Sequence, residues 1–192
     1  MRRRRLALGL AALIVVTAIA VAAVMRSPAP PADRVPSGPV ETAIKELDLI
    51  RPSPPKRAED FAVPTPRGRT FRLSEQRGKI VFINFWATWC PPCREEMPAM
   101  ERLYERTKHS GVEMLAISVD ADPASITPFL GERQFTFTVG LDPRMSVASS
   151  YGVRGLPASF IVDREGNLAA VALGPRAWDS PASQTLIGGL AR

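Results

Sequence analysis

Two kinds of apolar run divide this chain. Leu6–Met25 is twenty residues without a charge, bounded by Arg2–Arg5 on one side and Arg26 on the other. The later runs are shorter and are separated by polar turns. Ile80–Trp86 (IVFINFW) and Val112–Val119 (VEMLAISV) have the length and the β-branched and aromatic content of buried strands. Between them, from about Pro92 to Lys108, Met97, Met100, Leu103 and Tyr104 recur at helical spacing and predict an amphipathic helix. Asp122-Pro123 has the form of an N-cap followed by proline at the first helical position, opening a helix to about Gln134 that Pro128 splits or kinks. Thr136–Leu141 predicts a third strand and Ser146–Tyr151 a short helix. Ala158–Val162 and Leu168–Leu173 flank a turn-rich connection, Asp163–Asn167, and predict a hairpin. Ser180–Ala191 predicts a closing helix whose end is left open by Gly188-Gly189. Upstream, Phe61–Val63 and Thr70–Leu73 predict a small β-hairpin. Strands alternating with helices and ending in an antiparallel pair give an α/β fold with a mixed β-sheet flanked by helices.

The long N-terminal run changes the picture of where the protein works. Twenty apolar residues at helical rise cover the roughly 30 Å hydrocarbon core. The arginines ahead of them hold that end in the cytoplasm and send the remainder across, so 1–26 reads as a single-pass anchor in the cytoplasmic membrane. A cleaved signal peptide is the rival, because Ala18-Ile19-Ala20 and Ala20-Val21-Ala22 have small residues at cleavage spacing, but both lie inside the run. Residues 27–60 read as a Pro-rich linker, in which Ser27–Pro39 predicts an extended tether. Val40–Ile50 has a short helical rhythm (Ile44, Leu47, with Glu41 and Lys45 four apart), and a second proline cluster follows at Pro52, Pro54 and Pro55. Folding is expected to begin near Phe61, giving a domain over 61–192. The net charge of +6 adds little: without Arg2–Arg5 and Arg26, 20 basic residues face 19 acidic ones. A near-neutral folded part gives no electrostatic case for nucleic acid.

Candidate chemistry is concentrated at one point. The chain has two cysteines, Cys90 and Cys93, placed where the strand Ile80–Trp86 gives way to the helix. At a helix N-terminus the unpaired N–H groups and the dipole favour a thiolate, which makes Cys90 the nucleophile of a disulfide exchange and Cys93 its resolving partner. A purely structural bridge closing so short a loop contributes only about 2 kcal/mol. Zinc needs four ligands where the chain offers two thiols and His109. The c-type haem pattern fails because Arg94, not histidine, follows Cys93. Glu96 lies one turn beyond Cys93 on the same helix face and is placed to take its proton, whereas Glu95 points away. Pro98 falls in the helix interior as a kink. Trp89 reads as an exposed apolar rim for docking. No metal and no dissociable cofactor are implied.

The stretch NFWATWCPPCREEMP, Asn84–Pro98, resembles the thioredoxin superfamily, and more closely its membrane-anchored, exported TlpA/ResA-like branch; the likeness extends over about Phe61–Gly174. The resemblance implies a thioredoxin-like fold in which Asp122–Leu141 is the central αβ insertion. It assigns Cys90 and Cys93 as the redox pair and Glu96 as the acid this branch carries near them. Gly155-Leu156-Pro157 matches the loop whose proline is cis in the superfamily, setting the Leu156 backbone beside the cysteines to pair with an extended substrate. The substrate-contacting set is then Trp89, Pro91, Pro92, Leu156 and Pro157. Two departures stand out. Asn84 occupies the place of the buried aspartate of ordinary thioredoxins, which leaves Glu96 as the proton acceptor. Pro91-Pro92 removes two N–H donors near Cys90, so its thiolate is expected at about 7–8, not near 3.5.

The implied activity is thiol–disulfide exchange on the outer side of the cytoplasmic membrane, in the periplasmic or extracellular space. Its partners would be exported proteins bearing disulfides, such as apocytochrome c or copper-site proteins of an oxidase, and a membrane thiol-electron carrier that recharges the pair. Two alternatives are a peroxiredoxin-like peroxidase, against which Ala87 stands where that site wants threonine, and a non-catalytic copper-binding module using both thiols.

Overall fold

The computed structural model describes residues 38–131, 133 and 135–191, and the expected anchor Leu6–Met25 lies outside them. Among the described residues no helix is long and apolar enough to cross a membrane.

The fold begins upstream of Phe61, where the linker was expected to end. Helix α1 (Pro39–Glu46) starts with proline at its first position and carries Glu41 in its first turn and Lys45 in its last, as the helix dipole favours. Ala43, Ile44 and Leu47 are buried. The segment after it runs along a sheet edge: Ile50 and Val171 exchange both backbone hydrogen bonds at 2.8 Å, and Ala58 N–H donates to the Gly166 carbonyl at 3.0 Å. Pro52, Pro54 and Pro55 sit between these contacts, on an edge where a missing N–H is tolerated. At Pro52, Pro54 and Pro55 proline content therefore marks a sheet edge.

Strands β1 (Ala62–Pro64) and β2 (Thr70–Arg72) form the expected hairpin, each burying its middle residue, Val63 and Phe71. Then follow β3 (Ile80–Trp86), α2 (Pro91–Thr107), β4 (Val112–Ser118), α3 (Ile126–Gly131), β5 (Thr138–Leu141), α4 (Ser146–Ser150), β6 (Ala158–Val162), β7 (Leu168–Leu173) and α5 (Pro181–Leu190). The sheet order is β5-β4-β3-β6-β7. β3 pairs parallel with β4 and antiparallel with β6, so it is covered on both edges, and every one of its residues is buried. This central strand delivers the chain to the cysteines.

Two local expectations shift. The helix opened by Asp122 begins as a 3-10 turn at Pro123–Ser125, capped by Asp122 Oδ1 accepting from Ala124 N–H at 2.9 Å. The α-helix proper is short, and Pro128 lies in its first turn, where its absent N–H breaks no bond. Gly188-Gly189 does not end α5, because α1 lies against it: a Cβ at Gly189 would overlap Val40 Cγ2.

Candidate active site

The loop between β3 and α2 is held from below. Asp120, buried at the end of β4, accepts from Thr88 N–H at 3.0 Å, from Thr88 Oγ1 at 2.6 Å and from Ser118 Oγ at 2.6 Å. Cys90 N–H donates to the Ala87 carbonyl at 3.2 Å, which fixes Cys90 as the N-cap of α2. Pro91 and Pro92 fill the next two positions, so the first N–H the helix offers is that of Cys93.

Cys90 and Cys93 are joined as a disulfide, with Cα atoms 5.4 Å apart. Their surroundings differ. Cys90 is 4% exposed and lines a cavity of about 480 Å³, together with Trp89, Pro91, Pro92, Leu156 and Met145. Cys93 is fully buried. Trp89 is 67% exposed at the rim, against complete burial of Trp86 in β3. The Leu156–Pro157 bond is cis; Leu156 faces the cavity, while Pro157 is buried behind it and does not line it.

Glu96 faces inward and is only 4% exposed, whereas neighbouring Glu95 is exposed. Three donors converge on its carboxylate. Asn84 Nδ2 donates to Oε1 at 2.8 Å, and Arg176 N–H and Trp178 Nε1 each donate to Oε2 at 3.1 Å. Burial nonetheless dominates and raises the carboxyl from 4.5 to about 7, the three hydrogen bonds and the Arg176 charge acting in the opposite sense. Such a group gains and releases a proton near neutrality.

Arg176 and Trp178 had no signal in the sequence. They lie in the turn Gly174–Ser180, some eighty residues from Glu96, without periodicity or motif. Trp178 is buried and packs edge-on against Phe82, ring centroids 4.6 Å apart. The Arg176 guanidinium reaches the other way, donating to the Leu47 carbonyl at 2.6 Å and the Asp48 carbonyl at 2.8 Å. Asn84 is drawn in by strand register: it stands directly opposite Ser159 of β6 and donates to Ser159 Oγ at 2.9 Å.

Residues 54–171 match the AhpC/TSA family. The chain is 37% identical over 119 residues to the thiol-disulfide oxidoreductase ResA of Bacillus thuringiensis (strain Al Hakam), covering 62% of this chain and 69% of that protein. It is 40% identical over 117 residues to ResA of Geobacillus kaustophilus (strain HTA426), covering 61% and 67%. Among solved structures it superposes with a TM-score of 0.68 and 33% identity on a Chlorobium tepidum protein described as a thiol:disulfide interchange protein DsbE, covering 75% of this chain and 99% of that one.

Proposed function

This chain belongs to the AhpC/TSA family and is a thiol-disulfide oxidoreductase of the ResA type, and from that premise we propose that it is a membrane-tethered reductant of disulfides in exported proteins. In the reduced enzyme the Cys90 thiolate attacks one sulfur of a client disulfide, forming a mixed disulfide and releasing the other client sulfur as a thiolate. Glu96 takes the proton of Cys93, whose sulfur then attacks Cys90 Sγ. The Cys90–Cys93 bond forms, the second client thiolate leaves, and two electrons have passed from enzyme to client. A membrane thiol-electron carrier returns them.

The observation that carries this reading is the asymmetry of the pair. Cys90 lines a cavity with an exposed tryptophan and Leu156 at its edge, while Cys93 is fully buried, three residues before a buried carboxyl raised to about 7. The uncharged run Leu6–Met25 and its arginines support the tether, which raises the effective concentration of membrane-bound clients. Resemblance to the TlpA/ResA-like branch favours apocytochrome c or copper-site cysteines of an oxidase as clients.

The test is Cys93→Ser in the full-length chain. It should stall as a mixed disulfide at Cys90, releasable by dithiothreitol, with exported cysteine-containing proteins attached. Recovery of no adduct, or of adducts that persist in Cys90→Ser/Cys93→Ser, would overturn the assignment. Steady turnover of hydrogen peroxide by Cys93→Ser would move the chain to the peroxidase reading.

A further inference from the structure

Asn84 Nδ2 donates to two oxygens at once, Glu96 Oε1 at 2.8 Å and Ser159 Oγ at 2.9 Å, and all three residues are buried. Its Oδ1 is buried and has no hydrogen-bond partner among the described residues. This orientation suits an ionised Glu96, which only accepts. It does not suit a protonated Glu96, because the acid has an O–H to donate and its other neighbours, Arg176 N–H and Trp178 Nε1, are donors too.

A carboxamide is close to symmetric in outline, and its χ2 torsion is broad and two-fold. Half a turn about χ2 would put Oδ1 where Nδ2 now lies, facing Glu96 Oε1 and Ser159 Oγ together. There it would accept from a protonated Glu96 and from the Ser159 hydroxyl, which rotates to donate as readily as it accepts. We infer that Asn84, supported by Ser159, is a positioning residue that turns its amide over with the protonation of Glu96, keeping the acid partnered in both states of the proton transfer with Cys93. An aspartate in its place could not serve both states without adding a second charge to the pocket. An apolar residue could serve neither.

The groups facing Glu96 are few. β3 contributes Asn84, β6 contributes Ser159 through it, and the turn after β7 contributes Arg176 N–H and Trp178; on α2 itself Cys93 precedes Glu96 by three residues, and both are buried. Arg176 is the charge that acts on the carboxyl, and its guanidinium is fixed on the Leu47 and Asp48 carbonyls. The disulfide form therefore isolates the titration, since neither cysteine ionises.

This inference rests on the proton role proposed for Glu96, but its test does not. In full-length protein in detergent micelles, with the disulfide intact, the Glu96 carboxyl carbon and the Asn84 side-chain amide are followed by NMR from pH 5 to 9. We expect one shared midpoint, with the Overhauser contact between the Asn84 amide protons and Ser159 present above it and lost below. A contact that persists while Glu96 titrates overturns the proposal. Variants give a second arm. Trp178→Phe removes a donor that bonds the carboxylate more strongly than the acid's carbonyl and should raise the Glu96 midpoint by about one unit. Asn84→Ala removes a partner of both states and should move it by less than about half a unit. An equal rise in both shows that Asn84, like Trp178, acts only as a donor to Glu96 and refutes the amide turn. If Trp178→Phe does not fold, the wild-type amide titration decides alone. Whether Cys93 uses Glu96 is read separately, from the resolving rate of Glu96→Gln; an unchanged rate would remove the catalytic role and leave the amide result standing.

Discussion

Replacing Glu96 with glutamine should stabilise the folded chain increasingly as pH rises from about 5, with most of the gain in place by pH 7. The unfolded carboxyl titrates near 4.5 and the buried one about 7, so between those values the native state holds more protons than the unfolded state. The contribution of the acid form is complete below 4.5 and is lost as pH rises through 7. A shift of that size corresponds to roughly 3 kcal/mol in all, of which about 2.5 kcal/mol falls between pH 5 and pH 8. Glutamine never ionises and escapes that loss. Its carbonyl can take the Trp178 and Arg176 donors, and its amide can face Asn84 once Asn84 presents Oδ1. The measurement is urea unfolding of the disulfide form at pH 5, 6, 7 and 8, followed by tryptophan fluorescence. The stability difference between variant and parent should grow with pH by about 2.5 kcal/mol, roughly 1 M urea or more in midpoint. Other titrating groups are common to both proteins and cancel. A difference that is flat across the series would mean that Glu96 does not titrate in this window, and its role as an acceptor near neutral pH would fall with it.

Three other outcomes are expected. In the reduced protein, Cys90 should ionise with a midpoint of about 7–8 because Pro91 and Pro92 leave the helix terminus two N–H groups short; ultraviolet thiolate absorbance measures it, and a midpoint below about 5 refutes the argument. Asp120→Ala strips the partners from Thr88 N–H and Oγ1 and should cost about 2–3 kcal/mol in denaturant unfolding, while a loss under about 0.5 kcal/mol would show that the loop before Cys90 is held by other means. Arg176→Ala releases the Leu47 and Asp48 carbonyls, so amide hydrogen exchange in α1 should accelerate at least about tenfold relative to β3; equal protection would mean that Arg176 does not fasten the N-terminal segment.

Where periodicity or covalent necessity operates, the sequence was readable. Ile80–Trp86 could hardly be anything but a doubly covered strand, and Met97, Met100 and Leu103 marked the buried face of α2 correctly. The cysteine spacing pointed to the strand–helix junction because few arrangements put two thiols one turn apart at a helix start. Residues 38–60 defeated the same reasoning. Their contribution is edge pairing through backbone atoms, which leaves no side-chain period, and a short helix whose rhythm at Ile44 and Leu47 is too brief to outweigh the prolines on either side. Trp178 and Arg176 were invisible for a related reason: a residue in a turn closes a site through the path of the whole chain, and nothing local records it. Asn84 was visible only as a residue unable to act as a base, and strand register supplies its actual neighbours.

The order of events proposed for the pair follows from where each sulfur can exchange atoms with its surroundings. Cys90 meets the cavity, so a client sulfur can reach it; Cys93 is closed to solvent, so a client sulfur cannot. A proton leaving Cys93 cannot pass to bulk water for the same reason, and on the inner side of α2 Glu96 offers an acceptor, the face that one helical turn gives both residues. In the proposed cycle, burial that makes Cys93 a poor target for outside disulfides also calls for an internal base. The same burial lifts Glu96 to about 7, close enough to neutrality for it to be partly ionised when needed and to shed the proton afterwards. A more exposed carboxyl would be a weaker base, and one without the Trp178 and Arg176 donors would stay protonated to higher pH. In the proposed cycle the turn after β7 sets the pH at which the resolving step runs, and the Arg176 side chain of the same turn bonds the Leu47 and Asp48 carbonyls.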